Sequence, residues 1–117
     1  MGTFFYPITL IGANGERKTI DALVDTGATF TTMQRDLLTS LGVQPRRRVR
    51  MRLADGLAHE QDVGNVEVEL DGIEDQTPVI FADSGAPSAI GSVTLETLLL
   101  GVDPVNQRLV PLEGWQL

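Results

Sequence analysis

The chain has 117 residues, a formal net charge of −7, an ordinary hydrophobic share of 42% and no cysteine. That length supports one core and one domain over residues 1–117, and is short for two lobes. The missing cysteines exclude disulfides, thiolate nucleophiles and thiolate-held metals. The acidic balance argues against a nucleic-acid partner.

Further exclusions follow from single residues. His59 is the one histidine and Lys18 the one lysine. A zinc site built on imidazoles therefore lacks ligands, and no metal or other cofactor is expected. A Ser-His-Asp arrangement would rest on His59, and no Gly-x-Ser-x-Gly elbow accompanies it. Any catalysis is left to carboxylates. No run approaches the ~18 apolar residues of a membrane helix, so no membrane partner is expected. The opening "MGTFFYPITLIG" has no basic start, and with the lack of cysteine this leads to an expected cytoplasmic location.

In chain order, "FFYPITLI" reads as a strand, Ala13-Asn14-Gly15 as a hairpin turn and "RKTIDALV" as the partner strand. The chain turns at Asp25-Thr26-Gly27 and runs extended through "TFTTM". "QRDLLTSLG" reads as a short helix with Gly42 as a left-handed C-cap. "RRRVRMR" at 46–52 holds five of the nine cations, but Arg48, Arg50 and Arg52 alternate with Val49, Met51 and Leu53. That is the period of a strand with one solvated face. An Asp55-Gly56 turn, a long return strand, an Asp71-Gly72 turn and the strand "QTPVIFA" follow. "DSGAPS" reads as a surface loop and Ala89-Ile90-Gly91 as a short apolar segment. "SVTLETLLL" reads as a second helix ended by Gly101, "QRLVPL" as a last strand and "EGWQL" as a tail. Short strands with two short helices predict an all-β or β-rich fold.

The most informative run is "ALVDTGAT" at 22–29, an apolar strand that delivers an aspartate to a tight turn. With a hairpin 25–35 residues later and an apolar-apolar-Gly segment before a helix, it resembles the retropepsin-like (retroviral-type) aspartic proteases. The resemblance implies their β-rich acid-protease fold with one half-site per chain. It implies Asp25, Thr26 and Gly27 as catalytic residues. It places Ala28, Thr29, the flap-tip residues Ala54, Asp55 and Gly56, and Ile90 against a peptide substrate.

In that family each half-site uses one Asp-Thr-Gly loop and one later apolar-apolar-Gly segment. Gly91 lies 66 residues after Asp25, room for a helix, a flap and the intervening strands. Asp83 of "DSGAP" cannot use the same segment, being only eight residues before Gly91, and only 26 residues follow Gly91. One half-site per chain implies a homodimer whose two Asp25 side chains meet at the axis. The expected activity is aspartic endopeptidase, with peptide or protein as substrate. The alternatives are a dimeric peptide-binding or scaffolding module with little cleavage, and a single-chain enzyme pairing Asp25 with Asp83. The resemblance fails at Ser92, where retroviral proteases carry a bracing arginine, and at the flap tip, which is less glycine-rich. For Trp115 an interface or core position is expected.

Overall fold

Both strands of the first predicted hairpin form in the computed structural model, which describes residues 3–83 and 85–117. β1 (Phe5–Ile11) and β2 (Arg17–Val24) pair antiparallel from Phe5↔Leu23 to Ile11↔Arg17. Asn14 tightens the turn, its side-chain oxygen accepting from the Glu16 N–H at 3.0 Å. β3 (Thr31–Gln34) runs into α1 (Arg35–Ser40). Gly42 ends that helix at φ +78°, as expected. Its N–H reaches the Thr39 carbonyl and the Val43 N–H reaches the Leu38 carbonyl, which satisfies two terminal acceptors.

β4 (Arg47–Arg52) and β5 (Ala58–Leu70) form the long hairpin expected around Asp55-Gly56. β5 turns into β6 (Ile73–Ala82) through Asp71 and Gly72, both at positive φ (52° and 80°). That two-residue turn matches the right-handed twist of its strands. β7 is only Ala89–Ile90, and α2 spans Ser92–Thr97.

The sheet order is β1-β2-β7-β3-β6-β5-β4, and β1 also pairs with β5 at Thr9↔Glu69 through Ile11↔Glu67. Six strands thus close on themselves, and β4 hangs outside as the edge of the β4–β5 hairpin. Inside lie Leu10, Met33, Leu38, Val68, Phe81 and Ile90, each no more than 1% exposed. Burying each such side chain contributes roughly 1.5–3 kcal/mol against the entropy of ordering the chain. The core also holds three threonines. Thr94 Oγ1 lies 2.5 Å from Thr31 Oγ1 and 2.8 Å from Thr77 Oγ1, so each hydroxyl has a partner where water cannot reach.

The C-terminal third departs from expectation. α2 stops at Thr97 rather than running to Gly101. Leu99 takes a left-handed φ of +56°, and the chain re-enters as β8 (Leu100–Asp103). Leu100 and Val102 point one way and Gly101 the other, a strand period that the continuous leucine run concealed. β8 pairs antiparallel with β9 (Arg108–Pro111), from Leu100↔Pro111 to Asp103↔Arg108. The Asp103 carboxylate fastens the connecting turn, accepting from the Asn106 backbone N–H (3.2 Å) and side-chain amide (2.8 Å). β9 therefore finds its partner locally.

Candidate active site

Asp25 follows the last residue of β2, and its position is set by β7. That two-residue strand lies between β2 (parallel, Val24↔Ile90) and β3 (antiparallel, Thr32↔Ala89). The Asp25 N–H donates to the Ile90 carbonyl at 3.0 Å, and the Leu23 N–H to Ser88 at 2.9 Å. Beyond the anchor the chain turns, and the Ala28 N–H donates back to the Asp25 carbonyl at 3.1 Å. The half-buried Asp25 carboxylate accepts from the Gly27 N–H at 3.1 Å. Among the described residues no side chain hydrogen-bonds or ion-pairs with it.

Gly91 is what lets β7 sit there. A Cβ on it would lie 2.5 Å from the Phe30 carbonyl carbon and oxygen. Its N–H donates to the buried Thr31 hydroxyl at 3.1 Å, which ties the loop to the threonine cluster. The first amides of α2 complete the support. Ser92 N–H donates to the Ala28 carbonyl (2.8 Å) and Val93 N–H to Thr29 (2.9 Å). Free donors at a helix start thereby take up the loop's acceptors. The loop is thus braced through backbone on the side of Ser92.

Two depressions flank the loop. One, of about 410 Å³, opens between Gly27, Ala28 and Thr29 on one side and Met51, Arg52 and Leu53 of the β4–β5 hairpin on the other. Ile80 and Ala82 of β6 line it between them. Its walls are mostly apolar, as is usual of a ligand cleft. The second, of about 430 Å³, lies on the other side, where Asp25 and Thr26 face Leu95, Leu100 and Val102.

The residues expected at the site separate as follows. Asp25, Thr26, Gly27, Ala28 and Thr29 form one loop bordering both depressions. Ala54, Asp55 and Gly56 form the exposed tip of the β4–β5 hairpin, but the hairpin residues lining the cleft are Met51, Arg52, Leu53 and Gln61. Asp55 turns back into its own hairpin: Oδ1 accepts from the Leu57 N–H (2.8 Å) and Oδ2 lies 3.0 Å from His59 Nε2. The Leu57 amide, then the His59 bond, hold its carboxyl below the usual carboxylate range. Ile90 requires correction. Its side chain is fully buried beneath the loop, because strand alternation turns it into the core while its carbonyl anchors Asp25. Met51 and Leu53 were legible as the apolar face of an alternating strand, whereas Ile80 and Ala82 carried no such signal.

Asp83 borders the first depression but pairs elsewhere. Its carboxylate is 91% exposed and 3.5 Å from Arg35 Nε at the start of α1. Gly85 stands at φ +97°, consistent with a loop, and Ser84 lies outside the described residues. Among the described residues no cluster of three or more His, Asp or Glu side chains is arranged to hold a metal ion.

A family model described as aspartyl protease matches residues 7–104, most of the chain and both elements that build the Asp25 loop. The chain belongs to the aspartyl protease family. Its fold is that of the retroviral members. EIAV protease, solved in complex with the inhibitor HBY-793, superposes with a TM-score of 0.61. That match covers 81% of this chain and 86% of the viral one at 17% identity, so it speaks to fold alone. No curated protein sequence matches the chain. Within this aspartyl protease domain β8 is covered by the family match, but β9 and the tail lie beyond it. Among the described residues no helix is long and apolar enough to cross a membrane.

Proposed function

We propose that two copies of this chain form an aspartic endopeptidase, with Asp25 from each meeting across a two-fold axis. The observation that carries the reading is the solitary Asp25 carboxylate. It is presented on a backbone-anchored loop beside a cleft, and among the described residues no second carboxylate is bonded to it. The other candidate, Asp83, is occupied with Arg35.

Two carboxylates brought close cannot both ionise cheaply, so the pair holds one proton between them; the aspartic-protease dyad is the standard example of this effect. The ionised partner takes a proton from a bound water, whose oxygen attacks the scissile carbonyl carbon. The protonated partner donates to the carbonyl oxygen, and a proton then passes to the amine as the C–N bond breaks. The Gly27 N–H orients the carboxylate that receives the water's proton. An extended substrate would place alternate side chains in the cleft lined by Ala28, Thr29, Met51 and Leu53, under the flap.

The test is peptide hydrolysis by Asp25→Asn protein, which keeps the loop's shape and removes the base. Loss of turnover with an unchanged assembly state is expected. Turnover close to that of the unaltered protein would end the assignment. Activity per chain should also fall on dilution, and a fully active monomer would refute the shared site.

A further inference from the structure

β4 is the outermost strand of the large sheet, paired with β5 along one edge and with no strand among the described residues along the other. The Leu53 N–H donates to the Leu57 carbonyl at 3.0 Å, which sets Leu53, Met51 and Val49 as the residues whose backbone faces β5. In an antiparallel pair the residues between them turn N–H and C=O outward. Those residues are Arg48, Arg50 and Arg52. Their side chains share the solvated face, while Met51 and Leu53 line the cleft. Arg52 borders the cleft too, so the row starts there and leads away from it at about 6.7 Å per step.

The three guanidiniums have donors to spare. Arg48 lies 3.5 Å from Asp62 yet is 65% exposed, and Arg52 donates one N–H to the Gly56 carbonyl. Arg50, opposite Glu60 in the register, has no ion-pair partner among the described residues. Each guanidinium carries five donors in a fork that suits carboxylates. With the exposed Arg46 and Arg47, the segment concentrates five of the nine cations in a chain of net charge −7.

We infer that the substrate carries an acidic stretch beside the scissile bond, with carboxylates at alternate positions, that lies along β4 as it leaves the cleft. The inference rests on the endopeptidase reading and names its substrate class. On a strand added to this edge, alternate side chains stand opposite Arg48, Arg50 and Arg52, with about 5.5 Å between facing Cα atoms. Cations on an edge strand ordinarily deter other chains, but they deter basic and apolar strands and attract an acidic one. A second copy does not fit the edge. β4 against β4 would set arginine on arginine, and the chain's own alternating acidic run, "VEVEL" at 66–70, is already held by β6 and by β1 over Glu67–Glu69.

The test extends one cleavable core peptide by six residues on either side. The extensions alternate glutamate with threonine in one phase, in the phase shifted by one residue, and with glutamine or lysine in place of glutamate. One acidic phase should raise kcat/KM about tenfold over the glutamine form, through KM, as expected of two or three cross-strand charge pairs. The gain should shrink with added salt. Arg50→Glu, a change at an exposed position, should remove the gain and favour the lysine extension. Equal kcat/KM for the glutamate and glutamine forms, a gain indifferent to phase, or one that survives Arg50→Glu overturns the inference and leaves the endopeptidase standing. Stronger competition by a single-stranded oligonucleotide than by the free acidic extension overturns it also. Failure to cut any peptide overturns both.

Discussion

Replacing Gly91 by alanine tests the architecture beneath Asp25 at one atom. The added methyl would sit 2.5 Å from the Phe30 carbonyl carbon and oxygen and 2.9 Å from the Thr31 nitrogen, where ordinary contact begins near 3.4 Å. A separation of roughly 0.9 Å must therefore be opened between β7 and the start of β3. None of the three atoms belongs to a side chain that can swing aside. Thr31 is fixed by the parallel β3–β6 ladder at Thr31↔Val79, and β7 by its pairing with β2. The cost should lie at the upper end of overpacking penalties, about 3 kcal/mol. At this chain length that corresponds to a fall in Tm of about 10 °C. The same shift moves the Ile90 carbonyl that anchors the Asp25 N–H. A misplacement approaching 1 Å at a reacting group costs about 100-fold in rate. Calorimetry and kcat/KM on one peptide, measured below the melting range, read the two effects separately. A variant that melts within about 2 °C of the unaltered protein, or that stays folded and keeps full activity, would refute the claim that Gly91 is required by close approach.

Thr94→Val keeps the shape but removes the hydroxyl shared by Thr31 and Thr77, and should cost about 1–2 kcal/mol by urea unfolding; a neutral result would mean that the cluster relaxes at no cost. Asp83→Asn should leave turnover within a few fold, since that carboxylate is exposed and paired with Arg35; an inactive variant would revive a single-chain pair. Arg35→Ala removes bonds to Asp62 (3.0 Å) and Asp83 and a guanidinium stacked 5.3 Å over the Phe81 ring, and should cost about 1 kcal/mol by the same unfolding assay. At the tip of the β4–β5 hairpin, Asp55 is held below the ordinary carboxylate range, so its bond to Leu57 is intact above that range and is lost as pH falls through the lowered value. The Leu57 amide resonance should titrate with a midpoint below about 3.9, and a midpoint at or above that value would detach Asp55 from the turn.

Much of this protein is local and so was legible in the sequence. Asn14-Gly15 and Asp71-Gly72 specify turns because few other residues tolerate positive φ there, and the strands on either side then have little choice of register. Gly42 ends a helix for the same reason. "ALVDTGA" placed Asp25 at the end of an apolar strand, and the resemblance to retroviral-type proteases pointed to Ala89-Ile90-Gly91 as the segment beneath it. What could not be read depended on contacts between distant segments. The leucines at 98–100 suit a helix or a strand equally, and only the pairing of Leu100–Asp103 with Arg108–Pro111 decides between them. Ile90 was expected to touch substrate, but which of two neighbours in a strand faces the core depends on the layer packed against it. Here the barrel interior claimed Ile90 and left its carbonyl to hold Asp25. Asp83 and Asp25 occur in nearly the same local motif. The sequence by itself determined that both stand at turns. Only tertiary structure gave one of them the β7 anchor and the other an arginine, because β7 can lie beneath a single loop.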